Sequence, residues 1–174
     1  MTKYLRPATE ADIKYVAENI RPADRDECLA AAGASPELAL WFSVKTSLEA
    51  YTLVAGDEVL GICGIAAGVG EHDRMIWMLG TPAVETHAKL FVRESRKWLN
   101  TLPYILWNRV DARNARHISW LRSIGAEFHD TITSPHTGTD LITFTRKPHV
   151  RRTSRTGNGR WLDASGLGLL RCQR

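Results

Sequence analysis

Apolar and polar residues alternate along the first 50 positions in a way that predicts one short strand and two helices. Residues 4–9 predict a strand and a turn, and Thr9 predicts the N-cap of the first helix. The apolar positions of this helix recur at helical spacing until Pro22, which ends it. A second helix is predicted from Ser35, as its N-cap, through Leu48.

The chain from residue 50 to Pro148 predicts six further strands and two helices. Runs of β-branched and aromatic residues between turn residues indicate the strands, whereas apolar residues three and four positions apart indicate the helices. In chain order these are strands at 50–55, 59–66 and 74–79, a helix from Thr81 to Leu99, a strand at 104–111, a helix from Asn114 to Ile124, and strands at 128–133 and 140–145. This order indicates one domain of the α/β (α+β) class.

Charge divides the chain near residue 148. From His149 onward there are six arginines and one aspartate, whereas residues 1–148 carry 17 basic and 18 acidic side chains. The net charge of +4 therefore comes from the tail. We predict a folded domain at 1–148 and a basic, mobile extension at 149–174. The extension has few aromatic residues, so nucleic acid is not the expected partner.

The spacing of cysteines and histidines argues against a metal site. Cys28, Cys63 and Cys172 match neither a disulfide framework nor a Cys-x-x-Cys pattern, and the six histidines lack paired ligand spacing. We expect reduced thiols and no metal. No apolar run reaches the roughly 20 residues that a membrane span requires, so a cytoplasmic location without a membrane partner is expected.

The segment from residue 110 to 129 carries the most specific motif in the chain. Val110 ends a predicted strand, Asn114 follows four residues later, and Gly125 ends the next helix. This arrangement resembles the last motif of the GNAT superfamily, the acyl-CoA-dependent N-acyltransferases. The resemblance is closer to the GNAT-like proteins of short-tailed phages, which share an Asn-x-x-His-Ile start and an Ile-Gly-Ala-x-Phe-His finish. The matching residues are Asn114, His117, Ile118, Leu121, Ile124, Gly125, Ala126, Phe128 and His129.

The resemblance implies a fold and a cofactor. It implies a mixed, mostly antiparallel central sheet of six to seven strands flanked by about four helices. It also implies that acetyl-CoA, or another acyl-CoA, lies between the ends of the fourth and fifth strands. The pyrophosphate would lie at the following helix N-terminus, where N–H groups favour an anion. The cofactor-binding residues implied are Met78, Leu79, Gly80, Thr81 and Asn114, with the Leu79 and Gly80 amides polarising the thioester oxygen.

Two parts of the chain depart from the family pattern: the phosphate loop after the fourth strand and position 121. The phosphate loop of the family contains glycines, but here only Gly80 leaves the backbone free to approach a phosphate. Pro82 removes an N–H donor, and Glu85 brings negative charge near the expected diphosphate. Leu121 stands where many relatives carry the tyrosine that protonates the thiolate, and leucine cannot donate a proton.

Three residues are candidates for catalysis. His117 lies in the first turn of a helix beside the expected cleft, and histidine is suited to proton transfer near neutral pH. Asn114 is a candidate for hydrogen bonding to the cofactor or substrate, although asparagine is also simply a good N-cap. Glu71 lies before the fourth strand and is a candidate for a general base acting through water; a solvated loop is the alternative.

These patterns lead to two functional hypotheses. The first is an acyltransferase of phage origin, which moves an acyl group from acyl-CoA to an amine of a host metabolite or protein in the host cytoplasm. The second is a GNAT-fold protein without efficient catalysis, which binds a host enzyme or a virion component. The altered phosphate loop and Leu121 favour the second hypothesis, whereas the motif from Val110 to Phe128 fits both.

Overall fold

Seven strands form a single sheet in the computed structural model, which describes residues 4–149. The strands are β1 (Leu5–Pro7), β2 (Glu49–Ala55), β3 (Glu58–Ala67), β4 (Asp73–Gly80), β5 (Ile105–Asp111), β6 (Glu127–Thr133) and β7 (Asp140–Arg146). Their order across the sheet is β1-β2-β3-β4-β5-β7-β6. Neighbouring strands are antiparallel except β4 and β5, which are parallel. The predicted mixed, mostly antiparallel sheet is confirmed.

Six helices accompany the sheet, rather than about four. They are α1 (Glu10–Glu18), α2 (Pro22–Ala32), α3 (Pro36–Thr46), α4 (Ala83–Thr86), α5 (Ala88–Leu99) and α6 (Ala115–Ser123). The predicted long helix is broken at His87, which separates α4 from α5. Helix α2 is absent from the sequence prediction, because its alanine-rich sequence lacks an apolar stripe. Its ends do carry a signal, since Pro22 opens the helix and Gly33 closes it with a φ of 61°.

Asp12 joins helix α1 to strands β1 and β2. Together with Thr9 it forms a capping box that starts α1. Its carboxylate also accepts hydrogen bonds from Arg6 of β1, at 2.6 and 2.7 Å, and from Thr52 of β2 at 2.9 Å. Burial raises the pKa of Asp12, but these hydrogen bonds outweigh it and hold the pKa below the usual value of an aspartate.

The helices cover both faces of the sheet. Helices α1 and α3 pack on one face through Ile13, Val16 and Leu40, and Leu79 of β4 joins this cluster. Helices α5 and α6 pack on the other face, where the neighbouring residue Met78 points. Adjacent residues of β4 therefore face opposite layers, as the pleat of a strand requires.

Apart from His149, the predicted extension at 149–174 lies outside the described residues, so the domain boundary stays a prediction. Between residues 4 and 149 no helix is both long enough and apolar enough to cross a bilayer.

Candidate active site

Strands β4 and β5 separate after a short paired segment, and this split is the central feature of the site. The last paired residues are Met75 and Trp107. Immediately beyond them, the Asn108 side chain donates a hydrogen bond to the Ile76 carbonyl at 2.6 Å. This amide replaces the next main-chain hydrogen bond between the strands, so it bridges the split at its closed end.

Two cavities meet at the split. One, of about 280 Å³, is lined by residues of α2 and α3 as well as residues of α5 and α6, so it passes through the split from one face of the sheet to the other. The second, of about 810 Å³, lies at the C-terminal end of β4 beside α4 and the start of α6. Both cavities are lined by Met78, Phe91, His117 and Trp120. The two cavities therefore lie next to each other at these four residues.

Glu27 of α2 lies at the centre of a polar cluster beside the split. Its Oε1 accepts a hydrogen bond from Asn114 Nδ2 at 3.2 Å and lies 3.3 Å from His117 Nδ1. The Asp111 N–H also donates to Oε1, at 3.4 Å. Among residues 4–149, Oε2 has no hydrogen-bond donor. One oxygen is therefore held by the protein while the other is free to accept a proton.

Two of the predicted catalytic residues, Asn114 and His117, belong to this cluster. Asn114 Oδ1 accepts the His117 N–H at 3.1 Å, which makes Asn114 the N-cap of α6. Its Nδ2 group meanwhile contacts Glu27, so the cap and the polar contact occur together. The third candidate, Glu71, is exposed and precedes β4, at the opposite end of the strand from Gly80. The fold does not bring Glu71 to the cluster.

Sequence reasoning missed Glu27 because it missed α2. A signal was nevertheless present, since Asp24, Glu27, Cys28 and Ala31 recur at helical spacing and therefore share one face. The residues at 24 and 28 are buried, so the face that carries both acids points inward. Acidic residues on the buried face of a helix require hydrogen-bond or ion-pair partners. Such a pattern therefore indicates that the helix contributes polar side chains to a site.

The N–H groups of Leu79 and Gly80 in β4 are not free to polarise a thioester oxygen, contrary to what the sequence resemblance implied. The Thr81 N–H donates to a β3 carbonyl at 2.8 Å, and the alternation of N–H groups along a strand turns the Leu79 N–H towards β3 as well. The Gly80 N–H donates to the Asp24 carboxylate at 2.6 Å. The Leu79 N–H therefore points away from the split, and the Gly80 N–H, although on the edge that faces the split, is already bonded to Asp24. The Met78 N–H alternates towards β5 beyond the last paired residues, so it is the amide that opens onto the split.

Asp24 fixes the C-terminal end of β4 against α2. Its buried carboxylate is paired with Arg21 at 2.8 Å and accepts the Gly80 N–H. Burial raises the pKa of Asp24, while Arg21 and the Gly80 N–H act against that shift by stabilising the carboxylate. The Arg21 N–H also donates to the Gly80 carbonyl at 2.9 Å, so both main-chain groups of this glycine are bound to α2.

The loop that would hold a pyrophosphate offers few donors. The N–H groups of Val84 and Glu85 donate to carbonyls within the same loop, at 3.1 and 2.9 Å, and Pro82 has no N–H. Glu85 pairs with Arg116 of α6 at 2.5 Å, so this cation beside the loop is already partly neutralised. The expected weakness of the phosphate loop therefore has a structural basis.

The two described cysteines and Leu121 take no part in proton transfer. Burial raises the pKa of both the Cys28 and the Cys63 thiol to about 12, which keeps them protonated. Leu121 is buried in the core between α6 and β5. Within residues 4–149, no three His, Cys, Asp or Glu residues lie close enough together to hold a metal ion.

Comparison with known proteins identifies the fold. The sequence matches no protein-family model and no curated protein sequence. The structure resembles a GNAT-family acetyltransferase from Bacillus anthracis, with a TM-score of 0.63 at 15% identity over 84% of this chain and 96% of that chain. An aminoglycoside acetyltransferase in complex with coenzyme A gives 0.59 at 18% identity over 83% and 94%. A spermidine N-acetyltransferase from Vibrio cholerae, in complex with coenzyme A and spermine, gives 0.58 at 10% identity over 82% and 93%.

These similarities cover 82–84% of this chain. At 10–18% identity they establish architecture and leave residue roles to the geometry of this chain. The protein has the GNAT acetyltransferase fold.

Proposed function

We propose that this protein is an acyl-CoA-dependent N-acyltransferase in which Glu27 is the general base. The observation that carries the proposal is the position of the Glu27 carboxylate, held at the split between β4 and β5 with one oxygen free. The Glu27 carboxylate lines the smaller cavity and contacts His117, which lines both cavities, so it is positioned to remove a proton from an amine that enters through the smaller cavity.

The acyl-CoA is placed along the second cavity, with its pantetheine arm in the split. The Met78 N–H opens onto the split and would donate to the thioester oxygen as negative charge develops there. Phe91 and Trp120 supply apolar walls for the arm. The diphosphate end would lie near Thr81 and Gly80, where the internally bonded loop predicts weaker binding than a glycine-rich loop gives.

The proposed acyl transfer begins with removal of a proton from the acceptor. Glu27 accepts a proton from the ammonium form of the acceptor, and the amine nitrogen then forms a bond to the thioester carbon. The carbon–sulfur bond breaks, and the second proton of the nitrogen passes through water or through His117 to the departing thiolate. Asn114 and His117 hold Glu27 in place through Oε1. Glu71 has no part in this step.

The acceptor follows from the sequence resemblance. Similarity to proteins of short-tailed phages favours an amine of a host metabolite or host protein, encountered in the host cytoplasm. The same resemblance allows association with the virion.

A second function is favoured by one observation, the internally satisfied loop after β4. If the chain cannot hold the diphosphate of acyl-CoA, the same fold serves to bind a host enzyme or a virion component without catalysis. The Asp24 contact to the Gly80 N–H and the pairing of Glu85 with Arg116 both support this alternative.

One experiment separates the two functions. The full-length protein is incubated with acetyl-CoA and a set of primary amines, and release of the coenzyme A thiol is followed with a thiol reagent. Acceptor-dependent release is expected for the wild type and for Glu71→Gln, whose side chain lies at the far end of β4. Release no faster than in a protein-free control would overturn the transferase proposal and support the binding function.

A further inference from the structure

We propose that the acceptor is a primary amine joined through an aromatic body to a carboxylate, which pairs with Arg109. This inference rests on the proposed acyl transfer and specifies its substrate class. It concerns the part of the smaller cavity that lies on the α2 and α3 side of the sheet, here called the acceptor half. Glu27, Met75, Trp77, Leu79 and Arg109 line it together with small residues of the two helices, Ala31, Ala32, Ala39 and Ser43.

The walls of the acceptor half suit a flat apolar group. Small helix residues leave space opposite Trp77 on the sheet. The Trp77 indole is held at both ends: its Nε1 donates to Ser47 Oγ at 2.8 Å, and its ring lies over Gly64. A Cβ atom at position 64 would lie 2.7 Å from the indole Cζ2, so the ring needs a glycine beneath it. A fixed indole favours an aromatic partner stacked or edged against it.

The charges of the acceptor half lie at separate points. Glu27 carries the negative charge, and Arg109 carries the positive charge. Arg109 follows Asn108 and precedes Val110, which is buried on the α6 face, so the alternation of the strand turns Arg109 towards α2. Between residues 4 and 149, no carboxylate lies within 4.0 Å of the Arg109 guanidinium, whereas the nearby Asp111 is paired with Arg113. Arg109 is thus a cation available to a ligand.

The spacing along β5 between Arg109 and the residue that contacts Glu27 guides the choice of ligand length. Glu27 Oε1 lies 3.4 Å from the Asp111 N–H, and Asp111 is two residues along β5 from Arg109. Two residues of strand span about 7 Å. A benzene ring with an aminomethyl group and a carboxylate at opposite positions spans a comparable distance. Such a ligand places its amine at Glu27 and its carboxylate at Arg109, whose planar guanidinium binds carboxylates through two parallel hydrogen bonds.

Matched amines test the assignment. Benzylamine, 4-(aminomethyl)benzoate and 4-(aminomethyl)phenylphosphonate share one aromatic amine and differ in the anion. With wild-type protein and acetyl-CoA, the benzoate is expected to give a kcat/KM about 10-fold to 100-fold above that of benzylamine. Arg109→Gln should remove this gain, mainly through KM. Arg25→Gln, an exposed arginine of α2 outside the cavity lining, is the control and should keep the gain.

The outcomes distinguish this inference from the proposed function. Equal acetylation of benzylamine and the benzoate would overturn the inference and leave the transferase intact. A larger gain with the phosphonate would overturn the choice of a carboxylate. Acetylation of no amine would overturn the transferase, and calorimetric titration with 4-(aminomethyl)benzoate then still tests the site: binding lost in Arg109→Gln supports it, and no binding to the wild type overturns it.

Discussion

Replacement of Glu27 by glutamine is the most informative change to the site. Glutamine keeps the size of the side chain and an oxygen that accepts the N–H groups of Asn114 and Asp111, but it cannot take a proton from the acceptor. A positioned base contributes about 10²-fold to 10⁴-fold, so kcat should fall by that factor. The loss corresponds to about 3 to 5 kcal/mol of transition-state stabilisation.

The same change should leave folding and cofactor binding almost intact. Hydrogen bonds to a charged acceptor exceed those to a neutral one by about 1 kcal/mol, which is a small part of the stability of a domain. Thiol release under saturating acetyl-CoA gives kcat, and urea unfolding gives the free energy of unfolding. Glu71→Gln is the matched control. If Glu27→Gln turned over as fast as the wild type while remaining folded, Glu27 would not be the base.

Three further changes test the surroundings of the site. Glu85→Gln removes a negative charge and releases Arg116, so the affinity for acetyl-CoA by calorimetry should rise about 2-fold to 5-fold; unchanged affinity would place the diphosphate elsewhere. Asn108→Ala should lower the free energy of unfolding by about 1 kcal/mol, because the Ile76 carbonyl loses its donor; equal urea midpoints would contradict this. Asp12→Asn should destabilise most at neutral pH. Its folded pKa is depressed, so its contribution exists above about pH 4 and is lost on acidification; a pH-independent difference from wild type would refute that.

The fold was largely predictable because its signals are local. Strands β2 to β7 begin and end within one residue of the positions predicted from apolar runs and turns. Helix α2 escaped prediction because alanines and charged residues give no apolar stripe. His87 divides the predicted long helix although the apolar pattern continues through it.

The candidate site was predictable only where its residues are close in sequence. Asn114 and His117 form one cap motif, so their proximity follows from helix geometry. Glu27 lies 87 residues from Asn114, and Asp24 lies 56 residues from Gly80, so their contacts depend on how α2 packs across the sheet. The direction of the Leu79 N–H depends on strand register, which the composition of a strand does not determine.

The split between β4 and β5 explains how the other observations fit together. It is closed at one end by Asn108, opens towards the Met78 amide, and has Glu27 at its side. Under the proposed function, the altered loop after β4 would affect the phosphate end of a bound acyl-CoA and leave the reacting end unchanged. The proposal therefore combines weak cofactor binding with a complete set of groups for the chemical step.

Calorimetric titration of the full-length protein with acetyl-CoA, at two salt concentrations, is the most direct test of an acyl-CoA site at this split. An acyl-CoA site predicts saturable binding in the micromolar range that weakens with salt, because charged groups surround the phosphate end. Met78→Pro, which removes the amide facing the split, should weaken binding more than Glu71→Gln. No detectable heat at millimolar acetyl-CoA would contradict the presence of such a site.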